Sequence, residues 1–152
     1  MAAEGAKVVA ADLSAERLGE LKAEHGEIIT VTADIAAADA PETLLGYAMY
    51  ETAAAPEAPV TERLGDVPAG HLSKLYVLAE GRGTGLAEAL VHDGVERLRR
   101  LGFRHVWLGT NAQNTRANRF YERLGFATIG ARQFVVGGER VDDDWVRLLT
   151  VE

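Results

Sequence analysis

EGRGTGLAEALV, residues 80–91, places glycines at 81, 83 and 85 and then runs straight into apolar residues at helical spacing. Leu86, Ala87, Leu90, Val91, Val95 and Leu98 fall on one helical face, with Glu88, Asp93, Glu96, Arg97 and Arg99 on the other, and Gly102 ends the helix. HLSKLYVL, 71–78, reads as the strand that feeds the turn. A strand, a glycine turn and a helix start form a physically complete anion site. The first N–H groups of a helix have no partners, the helix dipole is positive there, and residues without side chains let a phosphate approach the backbone. Arg82 adds a cation. The common nucleotide loops do not fit: the P-loop needs four residues between its glycines and then Lys-Ser/Thr, and the dinucleotide pattern would put a glycine where Leu86 stands. On this stretch alone, a phosphate cradle and a plain loop-to-helix junction both stay open.

Bulk properties set the limits around it. A chain of 152 residues is a single-domain length, able to bury roughly two-thirds of its unfolded surface. With 47% hydrophobic and 26% charged residues and no apolar run near the ~20 that a membrane span requires, it reads as soluble and globular. MAAEGAKVVA, 1–10, lacks a basic stretch followed by a continuous apolar one, so no secretory signal is expected. The absence of cysteine removes disulfides, thiolate metal sites and a thiol nucleophile together. His25, His71, His92 and His105 show no ligand spacing, so no metal is expected. The net charge of −7 argues against nucleic acid, which favours a basic face, and leaves room for a cationic ligand. A cytoplasmic enzyme or binding domain fits.

Outward from the glycine turn, FRHVWLG (103–109) reads as a strand, Thr115 to Leu124 as a helix stopped by Gly125, and FATIGARQFVV and RVDDDWVRLLTV as a hairpin turning at Gly137-Gly138. LLGYAMY, 44–50, reads as another strand. The stretch from 51 to 70, with Pro56, Pro59, Gly65, Pro68 and Gly70, is expected to be the longest loop. Near the start, AKVVAA (6–11), a helix over about 15–25 and IITVTA (28–33) read as a strand-helix-strand unit, expected to add parallel to 44–50.

Two motifs carry a resemblance. RGTGLA (82–87) fits R-x-x-G-x-G/A, and NTRANRFYERLGF (114–126) fits N-x-x-A-x-x-F/L-Y-x-x-x-G-F. In this order and on these elements they resemble the acetyl-CoA signatures of the GNAT N-acetyltransferase superfamily, over about residues 41–152. The resemblance implies an α/β fold: a GNAT-like mixed sheet with splayed parallel strands and a C-terminal hairpin, here preceded by a Rossmann-like βαβ unit. It implies acetyl-CoA as co-substrate, with backbone at Leu75, Tyr76 and Val77 meeting the pantetheine arm. Arg82, Gly83, Thr84, Gly85, Leu86 and Ala87 would hold the pyrophosphate and Asn114 would contact the cofactor arm. Tyr121 would stand near the thioester sulfur as acid, its alternative being a core aromatic. His71, six residues before Val77, is the candidate base, with Glu51, a water chain or no dedicated base as alternatives. The implied acceptor is a small primary amine, and the 126–149 tail is similar to that of bacterial polyamine N-acetyltransferase-like members. Asp142, Asp143 and Asp144 would attract such an amine if they face the cleft and would otherwise form a solvated edge. A homodimer is compatible; no nucleic acid or membrane partner is expected.

Residues 3–36 instead resemble the second strand, helix and third strand of a short-chain dehydrogenase, with Asp12 toward an adenosine ribose and Asp34 near an adenine. The strand and glycine turn that would hold the dinucleotide's pyrophosphate, and any Tyr-x-x-x-Lys pair, are not found. The expected layout is a 1–40 segment of dehydrogenase character, as in a chimera or through a convergent N-terminus, packed on a 41–152 acetyl-CoA-binding domain. A non-catalytic CoA-binding scaffold and an NAD-binding fragment are the alternatives to an enzyme.

Overall fold

The computed structural model describes residues 8–11, 28–31, 45–136 and 139–152, with side chains over 45–132 and 144–152. Its strands are β1 (Val8–Ala11), β2 (Ile28–Val31), β3 (Gly46–Glu51), β4 (Gly70–Val77), β5 (His105–Asn111), β6 (Ala127–Val136) and β7 (Glu139–Thr150). They form one sheet in the order β2-β1-β3-β4-β5-β7-β6. The helices are α1 (Ala58–Leu64), α2 (Leu86–Arg100) and α3 (Thr115–Arg123).

The central pair of strands is where the sheet opens. β4 and β5 run parallel but pair only at Gly70↔Val106 and His71↔Trp107. On its other side β4 stays paired with β3 as far as Val77, through a register shift that sets Met49 against Lys74 but Tyr50 against Leu72. Ser73 is thus the extra residue of a bulge, and a bulge bends its strand and increases its twist. Past it β4 leaves β5, which continues alongside β7 from His105↔Thr150 to Asn111↔Asp144. The splay expected between 71–78 and 103–109 is present.

Alternation along the strands divides the core between the two faces of the sheet. Leu72, Val106 and Leu108 join Leu86, Leu90, Val91, Val95 and Leu98 of α2, with Tyr121 and Phe126. Trp107, Val146 and Leu148 point the other way and pack on Val60 of α1. The amphipathic reading of α2 holds, with Leu86 as its first helical position.

Two expectations are corrected. The 51–70 stretch contains α1: its prolines suggested a loop, but Pro59 stands in the first helical turn, where a fixed φ and a missing N–H cost nothing. Val60, 1% exposed, then anchors the turn on the Trp107 cluster. The parallel addition of the N-terminal strands to β3 is also overturned. β1 pairs antiparallel with β3, Val8↔Glu51 to Ala11↔Ala48, although β1 and β2 are parallel to each other. A parallel neighbour requires the chain to cross back to the starting edge of the sheet; an antiparallel β3 begins at the edge where β2 ends. The helix expected at 15–25, and with it the Rossmann-like character of this unit, lies outside the described residues, as do Asp12, His25 and Asp34.

α2 crosses β3 closely enough that Gly94 lies against the Tyr50 ring, where any Cβ would overlap it. The Tyr50 hydroxyl donates to the carbonyl of Val91 at 3.1 Å, so the ring cannot swing away cheaply. Gly94→Ala is expected to destabilise the fold by about 3 kcal/mol or more through overpacking, read as a lower midpoint in denaturant unfolding.

Candidate functional site

The glycine turn starts from a short 3-10 turn, Ala79–Gly81, at the end of β4. Thr84 Oγ1 donates to the carbonyl of Gly81 at 2.6 Å, drawing the loop tight. Gly83 and Gly85 adopt φ of 76° and 85°, and Gly85 is the N-cap of α2 in left-handed conformation. Only glycine takes that conformation without strain, and a glycine N-cap brings no side chain to satisfy the first turn. Among the described residues, the N–H groups of Ala87 and Glu88 have no protein acceptor. Bare amides therefore point out of the helix start.

They open onto a cavity of about 640 Å³ that is also lined by Leu75, Tyr76 and Val77 of β4, Arg82 of the loop, and Asn114 and Tyr121 of α3. A second cavity of about 440 Å³ lies in the splay itself, between Leu72–Tyr76 and Leu108–Asn111. Asn114 and Tyr121 line both. The residues expected at a cofactor site are thus brought together: Leu75, Tyr76, Val77, Arg82, Gly83, Gly85, Leu86, Ala87, Asn114 and Tyr121 share one cavity. Thr84 is not on that wall and acts inside the loop. Sequence reading missed Arg116 and Arg123, which line the same cavity from α3. Their spacing of seven, two helical turns, was the available signal.

α3 is capped by Asn114, whose Oδ1 accepts from the Ala117 N–H at 3.1 Å. With the oxygen used, the Nδ2 group of Asn114 is the part left for a ligand. Tyr121 is 9% exposed, edge-on to Phe120 and Phe126. Burial pushes its pKa up to about 12, so the phenol stays protonated at neutral pH and can act as a donor. It is both a core aromatic and a cavity wall.

His71 lines neither cavity. Its ring stacks on Trp107 at 3.8 Å between centroids, on the α1 face, whereas Tyr121 lies on the α2 face. The splay is what separates and connects them. Its Nδ1 is 3.9 Å from Glu51 Oε2, too long for a hydrogen bond, and is buried without one. Burial holds the imidazole pKa below its usual 6.5; Glu51 opposes this and Arg132 reinforces it. Arg132 in turn bridges Glu57 at 2.5 Å and Asp144 at 2.9 Å. Asp144 is therefore tied to the sheet, while the side chains of Asp142 and Asp143 lie outside the described residues. His92 sits exposed on α2, 3.5 Å from Glu88. Among the described residues no three His, Cys, Asp or Glu side chains gather as a metal site, and no helix is long and apolar enough to cross a membrane.

A mixed sheet opened at one parallel pair, with a glycine loop and a tyrosine-bearing helix on the same cavity, is an acetyltransferase-type fold. Residues 10–126 match the acetyltransferase (GNAT) family, and the chain belongs to that family. The match begins inside the segment likened to a dehydrogenase. An uncharacterised N-acetyltransferase of Mycobacterium tuberculosis is 44% identical over 72 residues, 47% of this chain and 46% of that protein. A mycothiol acetyltransferase of Parafrankia sp. is 36% identical over 117 residues, 72% of this chain and 36% of that protein. The chain spans about half the length, or less, of these curated relatives. A solved Salmonella typhimurium acetyltransferase with its cofactor acetyl-CoA shares the fold, with a TM-score of 0.55 at 22% identity, over 72% of this chain and 60% of that one.

The depressed His71 pKa has a consequence for stability. The unfolded chain takes up a proton near pH 6.5 while the folded one resists it, so the contribution is complete above 6.5 and is lost as pH falls toward the folded value. Denaturant unfolding at about pH 7.5 and about pH 5 should show a smaller acid-induced loss in His71→Asn than in the unmodified protein.

Proposed function

We propose that this chain binds acetyl-CoA and transfers the acetyl group directly to a primary amine. One observation carries the reading: the bare amides after Gly85 open onto the cavity walled by Tyr121, and Tyr121 and Asn114 continue from it into the gap between β4 and β5. Acetyl-CoA supplies an electrophilic thioester carbonyl and a thiolate leaving group. The loop amides and Arg82 bind the diphosphate. Leu75, Tyr76 and Val77 have strand partners on the β3 side only, so their other backbone groups are available to the pantetheine amides, and an N–H near Val77 is the donor for the developing oxyanion. Tyr121 gives its proton to the departing sulfur. An acceptor amine with a pKa of roughly 10 must lose a proton before it attacks. His71, kept neutral by burial, is the base from the α1 face, and Glu51 beside it stabilises the imidazolium.

For the acceptor, a small polyamine is one reading, weakened because Asp144 already answers Arg132. An acceptor of the mycothiol class is the second, favoured by the similarity to mycothiol acetyltransferases.

Calorimetry with CoA should give a measurable heat, and Gly85→Ala, which forces a side chain into left-handed backbone at about 1–2 kcal/mol of strain, should weaken it. Thermal-shift scans should show stabilisation by acetyl-CoA and CoA but not by NAD. Tyr121→Phe should lower kcat by roughly 100-fold in a thiol-release assay over a panel of polyamines and amino sugars, with CoA affinity nearly unchanged. Binding without thiol release for any amine would identify a scaffold instead.

A further inference from the structure

Between the cavity-lining Asn114 and Tyr121, α3 carries a buried polar junction that the chemistry above does not use. Asn118 is 8% exposed, Thr110 8% and Arg147 2%. Asn118 Oδ1 accepts from Thr110 Oγ1 at 2.7 Å and from Arg147 Nη2 at 3.1 Å. Its Nδ2 donates to the carbonyls of Asn111 at 3.0 Å and Ala112 at 3.2 Å. Both lone pairs and both protons of the amide are spent, so only one orientation satisfies the site. Arg147 Nη2 also reaches Glu122 Oε1 at 3.0 Å, whereas Nε and Nη1 are buried without partners. A buried guanidinium with so few partners is a poor source of stability. An apolar residue would cover the sheet better.

What the junction does is geometric. Asn111 and Ala112 are the last residue of β5 and the one after it, where β5 runs along the open edge of the splay. Asn118 fixes them to the middle of α3, one turn from Tyr121 on one side and one turn from Asn114 on the other. We propose that Asn118, held by Thr110 and Arg147, is a positioning residue that sets the distance of Tyr121 from the free edge of β5, and hence its alignment on the thioester. This rests on the reading of Tyr121 as the acid.

Asn118→Asp is the direct variant. It keeps an acceptor for Arg147 and Thr110 but turns the two donors to the β5 carbonyls into a repulsion. With acetyl-CoA and the best amine of the panel, kcat should fall by about 10- to 100-fold, the effect of a displacement of about 1 Å, while KM for acetyl-CoA moves by less than about threefold. In a Tyr121→Phe background the same substitution should cost less than about threefold, since the misplaced group is already absent. A loss of undiminished size in that background overturns the positioning role and leaves the acid reading intact; a Tyr121→Phe enzyme with normal kcat overturns both.

A second measurement needs no acceptor. With 3-fluorotyrosine in place of the four tyrosines, the ¹⁹F line missing from Tyr121→Phe belongs to Tyr121. CoA should shift it in the unmodified protein, and Asn118→Asp should displace the starting line and diminish the shift. An unchanged Tyr121 line in folded Asn118→Asp overturns the proposal. If that variant does not fold, Asn118→Leu with Arg147→Met removes the junction as an apolar pair and carries both tests.

Discussion

The structure depends on a broken ladder. Parallel neighbours normally pair along their length, and β4 abandons β5 after His71 because the bulge at Ser73 turns it aside. Everything of chemical interest follows from that divergence: a cavity inside the sheet, backbone groups of Leu75 to Val77 with one partner strand instead of two, and a helix whose tyrosine reaches the opening. A closed sheet with the same residues would have no second cavity, and Tyr121 would lose the wall it shares with it.

Holding strands apart leaves polar backbone in need of support, and the surrounding elements divide that work. β7 keeps the far side of β5 straight through seven register positions, from His105 to Asn111. α2 and the Tyr50 ring hold β3 and thus β4. α3 takes the end of β5 through Asn118. The opening thus has a packed or hydrogen-bonded element on each of these sides.

Much of this was legible in the sequence between residues 71 and 126, because there local rules agree with one another. Glycines at 83 and 85 announce backbone that other residues avoid, the α2 face repeats cleanly, and Gly125 stops the helix that follows β5. α1 was hidden because proline marks both loops and helix starts, and only the burial of Val60 decides between them. The direction of β1 was hidden because a short apolar strand carries no record of its neighbour's orientation. Arg147 was hidden for a related reason. In WVRLL an arginine reads as solvent-facing, and its burial is a tertiary fact created by Asn118 and Glu122. Arg116 and Arg123 needed the cavity to give their helical spacing a meaning.

His71 with Trp107 and Tyr121 with the glycine loop stand on opposite sides of one sheet, in separate apolar clusters. Two ligands meeting at the gap would be met by different walls, one aromatic and histidine-bearing, the other glycine and tyrosine, because alternate strand residues point opposite ways.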